Sequence, residues 1–143
     1  MSTATLIWPL RSSFVSYIEA LPDGMVEAGN GARRQGRNFM FPGHSASGGG
    51  FGFEGWLHFA GHHGSLDITL ESLEVQTEGA NATLWTVVSG YRMRMATMSG
   101  VQVSGEVLLH SDAVRLTGDG AHVLGGVYAP GAELEPLTIR TVR

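Results

Sequence analysis

Between Phe51 and Val75 the apolar positions recur with a period of two. Phe51, Phe53, Leu57 and Phe59 fall on one face of an extended segment, and Gly55 continues the period. Leu66, Ile68 and Leu70 resume the alternation after Gly61-His62-His63-Gly64. Two alternating runs joined by a short glycine-flanked connection predict a half-buried β-hairpin with two histidines at its tip. Glycines beside them permit positive φ and leave room for another group to approach.

Around this hairpin the pattern predicts a mostly β chain. Residues 4–8 are a short apolar lead. A helix is expected over Ser13–Leu21, capped by Ser12 or Ser13 and ended by Pro22-Asp23-Gly24. Phe14, Ile18 and Leu21 form its buried stripe, with Tyr17 beside the stripe and Ser13 one turn earlier. Gly24–Gly50 is rich in glycine, has Phe39-Met40-Phe41 as its one clear apolar run, and reads as a long loop. Further strands are expected at Ala82–Ser89, Arg92–Met98, Val101–Leu109, Ala113–Leu116 and Leu137–Val142, with turns at Gly79, Gly90, Gly100, Asp112 and Gly118-Asp119-Gly120. No internal repeat is evident.

Composition narrows the chemistry. With 143 residues the chain makes one domain, residues 1–143, large enough for a real core. The 21 glycines and the short Val/Leu/Thr-rich runs favour an all-β architecture with one or two short helices, arranged as a two-sheet β-sandwich. A formal charge of −4 without a Lys/Arg block argues against nucleic acid. The absence of cysteine excludes thiolate metal sites, iron–sulfur clusters and disulfides. The opening MSTATLIWPLR lacks a basic region before its apolar run, so the chain reads as cytoplasmic as written. A chain whose export signal had been removed would read the same. No window reaches the ~18–20 apolar residues of a membrane-spanning helix.

Several motifs fail on context. Gly50-x-Gly52-x-x-Gly55 has dinucleotide spacing but lies inside a strand pattern. Gly43-His44-Ser45-Ala46-Ser47 does not meet G-x-S-x-G. His58 and His62 are four apart, which suits a helical zinc pair but separates them by ~13 Å along a strand. A three-histidine zinc site using His44 or His110 lacks an acidic companion. Asn81-Ala82-Thr83 is a glycosylation sequon that also reads as a turn into a strand. Tyr17 has two readings: a helix tyrosine packed against Phe14 and Leu21 with its hydroxyl in solvent, or a metal ligand. A phenolate is a hard anionic donor that suits ferric iron.

Four segments then carry a resemblance that spans nearly the whole chain. They are Trp8-x-x-Arg11-x-Ser13-Phe14-x-x-Tyr17-Ile18, Phe39-x-Phe41-Pro42, Phe59-x-Gly61-His62-x-Gly64-x-Leu66-Asp67 and Tyr128-x-x-Gly131-x-x-Leu134-x-Pro136-Leu137. Together, in this order, they resemble the haem-binding conserved region of the HtaA family of bacterial haem-uptake proteins. The resemblance implies a β-sandwich-like pair of sheets with little helix. It implies Tyr17 as axial iron ligand to ferric haem b, Ser13 in contact with the haem at a propionate, and His62 hydrogen-bonded to the ligating tyrosine.

Chemistry agrees with those roles. Free tyrosine titrates near about 10 and is a poor ligand at neutral pH unless iron and a donated N–H stabilise its anion. On this reading the Gly24–Gly50 loop closes Phe39 and Phe41 over a porphyrin face. Arg33, Arg34 and Arg37 are candidates for propionate contacts or ordinary solvated loop charges. Family members are typically exported and tethered, often with several such regions, whereas this sequence holds one. The expected role is a non-enzymatic haem carrier, buffer or uptake module, whose partner would be a haem donor or acceptor protein, with a homodimer left open. The rivals are a haem enzyme of peroxidase or degradation type, with His63 or His44 as distal group, and a structural interaction module without haem.

Overall fold

The computed structural model describes residues 3–142. Alternation of buried and half-exposed side chains builds β1 (Ala4–Trp8), followed by α1 (Ser12–Ala20). Next come β2 (Met25–Gly29), β3 (Arg33–Gln35), β4 (Asn38–Ala46), β5 (Gly50–Phe53) and β6 (Trp56–Gly61). A single 3-10 turn, His62–Gly64, leads into the long β7 (Leu66–Glu78), then β8 (Asn81–Val88) and β9 (Tyr91–Ser99). The chain ends with β10 (Gln102–Ser104), β11 (Val107–Ser111), β12 (Ala113–Leu116), α2 (Gly118–Val123), β13 (Glu133–Leu134) and β14 (Leu137–Thr141).

All strands join one curled antiparallel sheet. Its main path runs β10-β11-β14-β1-β4-β5-β7-β8-β9-β12-β13, with β2 and β6 paired beside β7 and β3 paired to β4. The expected all-β class with short helices holds, and curling brings the apolar faces together in the manner of a sandwich. Trp8, Phe14, Phe39, Phe41, Leu57, Phe59, Leu70 and Leu84 are fully buried in the shared core.

The predicted hairpin is present but is built from three strands. β6 pairs with the first half of β7, Phe59 opposite Ile68, whereas β5 pairs with its second half, Phe51 opposite Val75. The break falls at Gly55, whose φ of +102° and whose contact with Ala32 leave no room for a side chain.

Three expectations need correction. Gly24–Gly50 is not a loop: it contains β2, β3 and β4, with β4 paired to β1 along Trp8–Phe39 through Ala4–Gly43. Gly31, Gly36, Gly48 and Gly49, all at positive φ, mark the turns between its strands, whereas Gly43 lies within β4. Val101–Leu109 is two strands, turned at Gly105 with a φ of +57°. Gly118-Asp119-Gly120 is the start of α2, where the Thr117 hydroxyl accepts the Gly120 N–H at 2.9 Å as an N-cap.

α1 begins one residue earlier than expected and buries Phe14, Val15 and Ile18, with Leu21 half-exposed beyond its end. Neither serine caps it. The Ser12 N–H is taken instead by the Glu135 carboxylate at 2.8 Å, from the opposite end of the chain. A ladder of rings fixes the helix on the sheet: Phe14 meets Phe59 edge-on at 5.4 Å, and Phe59 meets Phe39 edge-on at 6.3 Å.

Candidate functional site: a tyrosine–histidine pair at a cleft

With Phe14 and Ile18 locked into the core, the helix period turns Tyr17 away from it, and the ring stays 41% exposed. One turn earlier, Ser13 lies on the same edge. Opposite, β6 delivers the His62–Gly64 turn. His62 and His63 both adopt left-handed backbone, with φ of 51° and 54°, so the tip is a tight turn rather than a continuation of the strand. Asp23, just after α1, accepts the His63 N–H at 2.7 Å and ties that turn to the helix end. This bond holds the Asp23 carboxyl below its usual range.

The result is one short contact. Tyr17 Oη and His62 Nε2 are 2.6 Å apart, with the rings tilted at 46°. His63 points outward and is almost fully exposed, near Asp23 only. Two adjacent histidines therefore face different surroundings, as period-two reasoning anticipated, but a left-handed turn separates them rather than strand alternation.

Tyr17 and His62 stand at a cleft of ≈ 400 Å³. Its other lining comes from Ser65, Leu66, Asp67 and Ile68 at the start of β7, and from His122, Val123, Gly125 and Val127 at and beyond the end of α2. Val127 is 50% exposed there, so two large apolar side chains, Tyr17 and Val127, meet solvent at the same place. The lining is mixed: phenol, imidazole, hydroxyl and carboxylate groups stand beside the aliphatic side chains of Leu66, Ile68, Val123 and Val127. Among the described residues no cluster of three or more His, Asp or Glu could hold a bare metal ion. The three-histidine zinc arrangement is thus not formed: His58 pairs with Asp67 at 2.6 Å, and His110 with Asp112 at 2.9 Å.

The remaining expected site residues divide. Ser13 Oγ is 2.6 Å from Tyr128 Oη, beside the cleft. Phe39 and Phe41 are fully buried strand residues. They lie on the inward side of β4, Phe39 edge-on to Phe59, and so cannot act as a lid. Arg34 is spent on a bidentate pair with Glu19, at 2.8 and 3.1 Å, which draws the Glu19 carboxyl down. Arg37 donates to Ser12 Oγ at 2.8 Å, and Arg33 lies exposed on β3. Sequence reasoning gave no role to Arg11, His122, Val127 or Tyr128. Only Arg11 and Tyr128 had a signal, since both stand in the recognised segments.

Fold and site together define an all-β domain with a tyrosine–histidine pair at a cleft of mixed polar and aliphatic lining. The chain belongs to the HtaA family (Htaa), whose profile matches residues 3–140. Its structure is similar to the C-terminal domain of HtaA from Corynebacterium glutamicum, at 24% identity and a TM-score of 0.81, covering 98% of this chain and 96% of that one. The N-terminal domain of the same protein matches at 24% identity and 0.80, covering 99% and 97%. The heme binding protein HtaB from that organism matches at 20% identity and 0.76, covering 99% and 96%. At these identities the likeness is one of fold. No curated protein matches the chain.

Proposed function

We propose that the chain binds one ferric haem b through the Tyr17 phenolate, with His62 as its hydrogen-bond partner, and acts as a carrier, buffer or uptake module. The observation that carries this reading is the 2.6 Å Tyr17–His62 contact at the mouth of a cleft walled in part by aliphatic side chains. Membership in the HtaA family supports it, as does the fold shared with a heme binding protein.

The residues present fit the group. Bound there, ferric haem would supply a Lewis-acidic iron and a planar apolar face. Leu66, Ile68, Val123 and Val127 offer aliphatic surface to such a face, and the exposure of Tyr17 and Val127 is what a bound planar ligand would relieve. Tyr17 binds as the anion only if its proton leaves. Once it has left, the short contact requires His62 to present Nε2–H, so the histidine donates to the phenolate oxygen. The same pair that shares one proton without iron then stabilises a ligand charge with it.

His63 and His44, the sequence candidates for a distal acid–base group, do not line the cleft. His122 does line it, so the preference for carriage rests on family membership rather than on a lack of acid–base groups.

Reconstitution with ferric haem tests the proposal. One haem per chain with the charge-transfer bands of a tyrosinate-ligated ferric centre is expected. Tyr17→Phe keeps the ring and removes only the oxygen, so it should lose those bands and most of the haem. An unchanged spectrum at unchanged stoichiometry in that variant would refute the ligand assignment.

A further inference from the structure

Among the described residues one buried side-chain polar atom lacks a hydrogen-bond partner, the indole Nε1–H of Trp85 on β8. Buried donors are nearly always paired, so an orphan calls for an acceptor that the chain itself does not supply. Thr86 beside it points into the core, which turns the Trp85 ring to the outer face of the sheet. That face is cationic. Arg94 stands directly across from Trp85 in the β8–β9 ladder, and Arg92 lies two residues before it. The Arg92 guanidinium lies over the indole, 3.9 Å from its centroid, and that of Arg94 lies over it at 5.1 Å. Arg92 pairs with Glu74 at 3.2 Å. Among the described residues Arg94 has neither an ion pair within 4.0 Å nor a side-chain hydrogen bond.

Trp85, Arg92 and Arg94 line an open cavity of ≈ 410 Å³, with Thr117 and Asp119 among its other walls. It shares no lining residue with the tyrosine–histidine cleft. We propose that this cavity binds the phosphate group of a small soluble phosphate ester, held by Arg94, Arg92 and the Trp85 indole N–H.

The donors select the group. Arg94 has all its guanidinium N–H groups unspent, Arg92 keeps those that Glu74 does not take, and Trp85 adds one more. A carboxylate has two oxygens, and a single guanidinium fork occupies both. A phosphate monoester has three terminal oxygens, so it can fill the fork of Arg94 and still offer an acceptor to the indole. A cavity of this volume also takes the organic part of such an ester. The groups over the indole are the ends of long, exposed arginine side chains, so an oxyanion that engages them draws them aside and reaches the donor without a backbone shift. Cation–π stacking alone explains Arg92 on the ring. It does not explain a second guanidinium there without an anion, nor a buried N–H without an acceptor. Asp119 is the opposing charge: it is exposed, lines the cavity and pairs with neither arginine, so it works against an anion.

The test follows the indole N–H resonances by heteronuclear NMR during titration with inorganic phosphate, phenyl phosphate and benzoate, at constant ionic strength against chloride. The Trp85 signal, identified by its loss in Trp85→Phe, should move downfield and saturate with both phosphates, phenyl phosphate binding several-fold the tighter. Arg94→Gln should weaken this binding about tenfold or more, the value of a charge-assisted hydrogen bond. Asp119→Asn should tighten it, and Tyr17→Phe should leave it unchanged. A Trp85 signal that does not respond would overturn the site. A shift that never saturates, or one that persists undiminished in Arg94→Gln, would show loose ion attraction only and overturn it too. Benzoate binding as tightly as phenyl phosphate would overturn the choice of phosphate, and inorganic phosphate binding as tightly would overturn the ester.

Discussion

Glu135 accepts the backbone N–H of Ser12 at 2.8 Å, so the first turn of the helix that carries Tyr17 is anchored from the far end of the chain. Arg37 and Arg11 add favourable charge, and together these draw the Glu135 carboxyl below its ordinary value, the Ser12 bond contributing most. A negative group beside the first helical N–H also suits the helix dipole.

A lowered carboxylate has a definite sign in its linkage to stability. The ionised form is favoured in the folded state, so its contribution is complete above the ordinary glutamate value of 4.5 and disappears as pH falls through the lowered one. Glu135→Gln keeps an acceptor but loses the charge, and should cost about 0.5–2 kcal/mol at neutral pH. The wild-type and variant urea midpoints should converge in acid. Glu19 and Asp23 lose their own lowered-carboxyl contributions in both proteins, so the difference isolates Glu135. Curves that stay parallel from pH 7 to pH 3 would remove its assigned role.

The two histidines of the turn make a matched pair of variants. His62→Ala and His63→Ala both place alanine at a positive φ, so the backbone penalty is common to both. Only His62 reaches the phenol. His62→Ala should weaken haem retention about tenfold or more, as expected on losing a ligand's hydrogen-bond partner, whereas His63→Ala should change it by less than about twofold. Equal effects, or a larger one from His63, would reassign the contact.

Phe59 links the ligand helix to the sheet, lying between Phe14 at 5.4 Å and Phe39 at 6.3 Å with no exposed surface. Phe59→Ala should cost about 3–5 kcal/mol and let α1 shift over the cavity it leaves. Leu84, equally buried on β8, is the control for general destabilisation. Under conditions where both variants remain folded, haem dissociation should accelerate in Phe59→Ala and not in Leu84→Ala. The same acceleration in both would mean that the ring ladder has no special part in holding Tyr17.

Local pattern and distant partnership explain which features could be read in advance. β12 was legible at Ala113–Leu116 to the residue and β8 nearly so, because both alternate between core and solvent; β9 was nearly legible too, though the register shifts where Met95 and Ala96 are buried in succession. The placement of Ser13 and Tyr17 on one helix edge was legible from the helix period, whereas the contact of Tyr17 with His62, 45 positions away, was implied only by the resemblance to the HtaA family. β3 was not, since Arg33-Arg34-Gln35 is fully exposed and becomes a strand only through β4. β4 was hidden by Pro42, which ordinarily argues against a strand between two neighbours; its carbonyl still accepts the Glu54 N–H at 2.8 Å. α2 was disguised by two glycines. A side chain at Gly120 would strike the Met95 carbonyl, so close packing on β9 rather than turn formation demands that glycine. The Glu135 cap and the Tyr128 contact join residues more than 110 positions apart, and no local pattern encodes them.

Retention of haem should depend on the oxidation state of its iron. On the proposed ligation the phenolate of Tyr17 would be an anionic oxygen donor, and its attraction to the metal would weaken when the metal loses one positive charge. At a protein site of lower effective dielectric than water that loss is amplified. His62 Nε2 lies 2.6 Å away and can pass its proton to the released phenolate as Nδ1 takes one up from solvent, which leaves the imidazole neutral. Reduction should therefore turn the pair back into a neutral phenol hydrogen-bonded to imidazole, a poor ligand. Unloading would then follow from a change the pair is built to accommodate, which suits carriage better than oxygen chemistry. The measurement is transfer to excess apo-myoglobin under anaerobic conditions, with and without dithionite. Transfer should be about tenfold or more faster from the reduced protein, and His62→Ala should narrow the difference. A ferrous complex that keeps its haem and binds oxygen reversibly would set carriage aside in favour of sensing or catalysis.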